Sequence, residues 1–100
     1  MNPFNSSYKF SRRPHFRSEL LPSPKDYYPQ YFSHLDIDEE WNMVCCPFHE
    51  DHNPSLSLNM EEGNFVCFGC DTTGGDIVAF DMLYHDRCFI ESCKALEVWL

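Results

Sequence analysis

The sequence predicts a small α+β domain: an antiparallel sheet closed by a metal knuckle, with two helices at the C-terminal end. Three observations predict it. Four candidate metal ligands fall in two pairs, Cys46-x-x-His49 and Cys67-x-x-Cys70, with seventeen residues between them. Inside that interval, Leu56, Leu58 and Met60 alternate with Ser57 and Asn59, the period of a half-buried strand. Beyond it, Ile77, Phe80 and Tyr84, with Val78 and Met82 beside them, form one apolar helical face.

The elements follow in order. Residues 1–20 are rich in Ser and Arg, show no apolar period and read as a flexible tail ahead of a domain over 21–100. Ser23 before Pro24 predicts a helix start, and Pro29 keeps that helix short. Tyr27, Tyr28, Tyr31 and Phe32 then supply rings to lay against the metal module. A strand from Trp41 to Cys46 enters the first knuckle. Residues 55–60 form the second strand and Glu61-Glu62-Gly63-Asn64 a turn. Residues 65–68 return as the third strand and deliver Cys67. Residues 72–75 read as a loop. Asp76 favours a helix N-terminus, and Thr73 with Asp76 fits a loose capping box. The helix ends near His85. A second begins near Ile90, with Cys93, Leu96 and Leu100 inward.

The paired ligands decide the chemistry. Zinc takes four tetrahedral ligands from thiolate and imidazole, and a site so closed is structural. In each pair the first and fourth residues can face one point, and the hairpin between the pairs brings them together. Pro47 suits the first corner of a tight turn, and Gly69 gives the second knuckle its backbone freedom. Cys45 lies next to a ligand but points to the opposite face of the strand, so Cys46 is taken as the ligand and Cys45 as packing. The fold class is therefore a small zinc ribbon with one structural Zn2+.

Size makes that metal important. A core of this length supplies only about 3–5 kcal/mol. Structural zinc contributes about 10–16 kcal/mol of apparent binding energy in finger peptides. The metal-free chain is expected to be largely unfolded past Trp41. Six cysteines in a chain without a signal-like N-terminal apolar run read as a reduced, cytoplasmic metal protein rather than a disulfide scaffold. No stretch is long enough to span a membrane.

The formal net charge of −9 is unevenly spread. Residues 1–35 hold five Lys/Arg against Glu19 and Asp26, a net +3. Residues 36–100 hold Arg87 and Lys94 against fourteen carboxylates, a net −12. An acidic globule of this kind lacks the footprint of a duplex-DNA binder. The N-terminal cations alternate with Tyr8, Phe10, His15 and Phe16, which fits a nucleic-acid arm. It equally fits a solvated end, the plainer reading. Asp36-x-Asp38 lacks the surrounding α/β domain and partner glutamate that two-metal chemistry needs and reads as an exposed loop.

Three strings resemble one family. Cys45-Cys-Pro-Phe-His-Glu-Asp-His-Asn-Pro-Ser-Leu-Ser-Leu58, Phe65-x-Cys-Phe-Gly-Cys70 and Gly74-Gly-Asp-Ile-Val-Ala-Phe80 look like the CHC-type zinc-binding domain of bacterial DNA primases. The likeness covers roughly residues 21–100. The Leu21-Pro-Ser-Pro-Lys-Asp-Tyr-Tyr28 segment, upstream of the three strings, looks like short stand-alone members without a TOPRIM-type polymerase domain. The resemblance implies zinc on Cys46, His49, Cys67 and Cys70. It also implies recognition of single-stranded template, with primer synthesis performed by a polymerase on another chain. Two departures stand out. Glu50-Asp51-His52 replaces a residue that is often basic in the family, and Asp71 stands where many members have Gly.

The expected function is a zinc-binding, DNA-recognition module of primase type in DNA replication, non-catalytic by itself. Arg12, Arg13 and Arg17 are candidate phosphate contacts, and Trp41, Phe48 and Phe68 candidate stacking rings, each with core packing as the simpler role. A polymerase or helicase chain is the expected partner. The alternative is a protein-interaction ribbon whose acidic face docks a basic replication or conjugation protein. An independent enzyme is disfavoured, because catalytic zinc keeps an open position and this ligand set fills all four.

Overall fold

The computed structural model describes residues 15–50 and 53–100. Arg12, Arg13, Asp51 and His52 lie outside them. A 3-10 turn at Ser18–Leu20 leads to α1 (Pro24–Tyr27), where the Ser23 hydroxyl accepts from Asp26 N, as the Ser-Pro pair predicts. A second 3-10 turn, Tyr28–Gln30, carries Pro29. Then β1 (Trp41–Val44), β2 (Leu56–Asn59), β3 (Phe65–Cys67) and β4 (Thr73–Gly74) form one antiparallel sheet in sequence order. Finally α2 (Ile77–His85) and α3 (Phe89–Ala95) pack on each other.

The register explains where the core sits. Asn42 pairs with Leu58, Leu58 with Phe65, and Phe65 with Gly74, so these residues share one row of the sheet. Phe80 of α2 sits over that face. Its ring centroid lies 5.1 Å from Tyr28, 5.4 Å from Phe48, 5.6 Å from Tyr31 and 5.7 Å from Phe65. The aromatic segment 27–32 thus lays its rings on the sheet and α2, as the sequence predicts. Gly74 makes this possible. A Cβ there would stand 2.4 Å from the Phe65 ring and 2.8 Å from Ala79 Cβ.

Several expectations are corrected. Residues 73–74 are a strand rather than a loop, and the Thr73 hydroxyl donates to Phe65 O instead of capping α2. Asp76 itself is the N-cap, accepting from Ala79 N. The polar members of β2 are buried too: Asn59 is enclosed because its side chain builds the turn, accepting from Glu61 N and Glu62 N. Tyr84 is on the exposed side of α2, and Asp81 takes the inward place. Leu100 is exposed, because α3 ends at Ala95 and Glu97 turns the chain left-handed at φ 63°. Beyond that turn, Arg17 N donates to Val98 O and Leu100 N to His15 O. Of the segment read as a tail, residues 15–17 therefore pair with residues 98–100, with Phe16 packed against Val78, Cys93 and Val98.

Candidate metal centre

Two knuckles meet at one point. Pro47 and Phe48 turn the chain after Cys46, and Phe48 N points at Cys46 Sγ at 3.4 Å. In the second knuckle, Gly69 N points at Cys67 Sγ at 3.3 Å, and Asp71 N closes the turn on Cys67 O. Asp71 carries the left-handed conformation at φ 61°, the place where the family resemblance led us to expect Gly. Gly69 serves differently from its expected role. Its φ is not left-handed, and a Cβ there would stand 3.1 Å from the His49 ring.

β1 leads into the first knuckle and β3 into the second, and β2 between them sets their spacing. One ligand atom each from Cys46, His49, Cys67 and Cys70 lies within 4.8 Å of the others. Cys46 Sγ is 3.9 Å from Cys70 Sγ, and Cys67 Sγ is 3.4 Å from His49 Nε2. Tetrahedral zinc with Zn–S of about 2.3 Å and Zn–N of about 2.0–2.1 Å separates its ligands by about 3.6–3.8 Å. The donor set and its spacing both fit one structural zinc ion, which when bound supplies the charge that holds three thiolates and an imidazole together.

The surroundings prepare the ligands. His49 Nδ1 lies 2.8 Å from Glu50 O, an acceptor, so Nδ1 carries the proton and Nε2 keeps its lone pair for metal. Burial pushes the Cys67 thiol up. Hydrogen bonds, chiefly from the Ser55 hydroxyl and the Cys70 and Gly69 N–H groups, outweigh burial and bring it down to about 6. Burial pushes Cys46 up to about 12 despite the Phe48 N–H. The Thr72 hydroxyl lies 3.0 Å from Cys70 Sγ. Ser55 and Thr72 were missed by the sequence reading, although Thr72 stands only two residues beyond a ligand.

The remaining candidates divide. Phe48 is half-buried and packed against Phe80. Trp41 is 47% exposed and Phe68 70% exposed. Arg17 is half-buried, with its N–H donating to Val98 O. Cys45, just past the edge strand β1, is exposed instead of packed. Away from the metal, buried Asp81 accepts from the Tyr27 hydroxyl at 2.7 Å and from Arg87 Nε at 2.8 Å. The exposed His85 meets the Tyr31 hydroxyl at 2.8 Å through Nε2. No helix among the described residues is long and apolar enough to cross a membrane.

Comparison with known proteins agrees with this geometry. Residues 32–98 match the CHC2 zinc finger. The chain is 41% identical over 66 residues to a DNA primase of Helicobacter pylori, covering 64% of this chain and 12% of that protein. It is 45% identical over 51 residues to a DNA primase of Buchnera aphidicola, covering 51% of this chain and 9% of that one. A DNA primase of Myxococcus xanthus is 33% identical over 66 residues, covering 63% of this chain and 11% of that protein. The chain thus spans about a tenth of the length of these relatives. With the match extending over most of its length and all four ligands brought together inside it, the chain belongs to the CHC2 zinc finger family.

Proposed function

We propose that this chain is a zinc-bearing DNA-recognition module of primase type. It works in DNA replication or primer synthesis, in the cytoplasm, with a polymerase on another chain. The observation that carries the reading is the closed four-ligand cluster inside the stretch shared with DNA primases. Protein ligands fill all four positions, so the metal organises a surface and has no open place for substrate. The module is non-catalytic by itself.

Single-stranded template is the proposed ligand. Phe68 supports this, because its exposed ring stands on the second knuckle, where a base can stack without disturbing the core. Trp41 is the second exposed ring. Arg17, with Arg12 and Arg13 before it in the sequence, offers phosphate contacts. A primase polymerase or a helicase is the proposed protein partner.

The test is fluorescence anisotropy of labelled single-stranded DNA with zinc-loaded protein across a salt series. A truncation lacking residues 1–14 is measured alongside, because the pairing of residues 15–17 with the C-terminal end makes 14 the safer boundary. If Lys9, Arg12, Arg13 and Arg17 all contact phosphate, the log–log salt slope is about −3. Phe68→Ala is expected to weaken binding by about 1–3 kcal/mol at unchanged slope. No binding at low salt would overturn the DNA reading. The net charge of −12 over residues 36–100 would then favour a ribbon that docks a basic protein.

A further inference from the structure

β1 is an edge strand, and its pairing parity shows what that edge presents. Met60 N donates to Glu40 O in the register that pairs Asn42 with Leu58 and Val44 with Leu56. The hydrogen-bonded pairs of β1 are therefore the even residues, and the N–H and C=O groups of Trp41 and Met43 point away from β2. The other half of the sheet agrees. Asn59 N donates to Asn64 O and Phe68 N to Ser55 O, so the odd residues of β2 are turned to β3. Among the described residues, no main-chain group of Trp41 or Met43 has a partner on the open side.

Two further features flank this edge. A hollow of about 350 Å³ opens beside it, lined by Met43 and Val44 of the strand and Cys45 just past it, and by Tyr31, Phe32, Ser33 and His34. Directly before the strand, Asp36, Asp38, Glu39 and Glu40 are all exposed. Among the described residues none of these four forms an ion pair. Free edges are ordinarily blunted by lysine, proline or a covering element. This one carries an exposed Trp and Met, an apolar hollow and uncompensated negative charge.

We propose that the β1 edge is a docking strip for an extended, cationic segment of a partner protein, which adds to the sheet as a fifth strand. Main-chain groups of the incoming strand pair with Trp41 and Met43. Its alternate side chains fall to the two faces. An apolar side chain of that strand enters the hollow, and a Lys or Arg lies along the Trp41 ring. The acidic run 36–40 steers basic flanks to this end of the strand and repels a phosphate backbone from it. The strip is distinct from the metal ligands, and the proposal stands independently of the DNA reading.

The test uses the zinc-loaded full chain, labelled with nitrogen-15, and a peptide alternating arginine and valine. Saturable binding is expected, with slowed amide exchange at Trp41 and Met43 and shifts at Tyr31 and Val44. Two controls carry the same fold or the same charge. The Asp38→Asn/Glu39→Gln variant, altered only at exposed loop positions, is expected to bind about tenfold more weakly. A peptide methylated on alternate main-chain nitrogens, tried in both registers, should lose binding in the register whose methyls face β1. Equal binding by all peptides would reduce the contact to charge alone and overturn strand addition. Unchanged exchange at Trp41 and Met43 would do the same. Protection of those amides by oligothymidylate in preference to the peptide would give the strip to nucleic acid. Their protection without any peptide would give it to a second copy or to the chain's own N-terminal residues. Each of these results overturns the proposal.

Discussion

Neighbouring cysteines with different fates show how finely single residues are set. Cys46 turns inward to the metal and Cys45 outward to solvent. Cys45→Ser should leave zinc content at one per chain and change stability by less than about 0.5 kcal/mol. Cys46→Ser should lose the metal and with it the thermal transition. Zinc release by a colorimetric chelator, read beside the melting curve, checks both. Asp81 is the second case. Its carboxylate is 1% exposed and held by Tyr27 and Arg87. Asp81→Ala strands both partners and should cost about 2–4 kcal/mol in urea unfolding, somewhat less than a fully buried pair because Arg87 reaches solvent. Tyr27 and Tyr28 give a pH dependence. Burial raises both hydroxyls well above the ordinary tyrosine value, helped at Tyr27 by Tyr31 and Asp81 and at Tyr28 by the charge of Asp76. The folded state therefore holds these protons more tightly than the unfolded state. Their contribution is complete below about pH 10, the unfolded value. It is lost as pH rises beyond that towards the folded values. Absorbance at 295 nm should show these two tyrosines ionising only together with unfolding. The ligands were legible as residues, because their spacing is a chemical requirement. The Tyr27–Asp81–Arg87 link was not, since its members are 54 and 6 residues apart. The one available sign was an acid four residues after Ile77 in an otherwise apolar stripe.

Elements were legible where a local rule set them. Ser23-Pro24 starts α1, the Leu-Ser-Leu-Asn alternation makes β2, and Asp76 opens α2. Two residues are too few to show a period, so β4 was read as a loop. It exists because Phe65 and Val66 offer it a ladder, which is a tertiary cause. The inward turn of Leu100 failed for a similar reason: the helical period runs on in the sequence, but Glu97 ends it and the chain pairs with residues 15–17 instead. Two neighbouring glycines test the account of β4. Gly74→Ala forces a Cβ into the Phe65 ring between strand and helix, and should destabilise by about 1–3 kcal/mol. Gly75→Ala meets nothing within 4 Å and should be close to neutral. Denaturation midpoints of the two zinc-loaded variants separate the cases.

At the scale of the molecule, one metal and one aromatic cluster hold a short sheet against two helices. The strands are only two to four residues long, and a sheet so small depends on what staples it. The knuckles join the ends of β1 and β3, so removing zinc releases the strands that carry Val44, Phe65 and Cys67. Chelation is expected to abolish the near-UV dichroism of the packed rings, and zinc should restore it. The fold class and the metal site were legible from spacing and period. The charge asymmetry was legible too. The edge of β1 was not, because which strand is outermost depends on pairings that no local pattern records. The central claim is that four protein ligands close the zinc and leave it a structural role. X-ray absorption at the zinc edge tests this most directly. The account predicts three sulfur scatterers at about 2.3 Å and one imidazole nitrogen at about 2.0–2.1 Å, with no oxygen. A bound water or carboxylate oxygen, or a shell of four sulfurs, would contradict it.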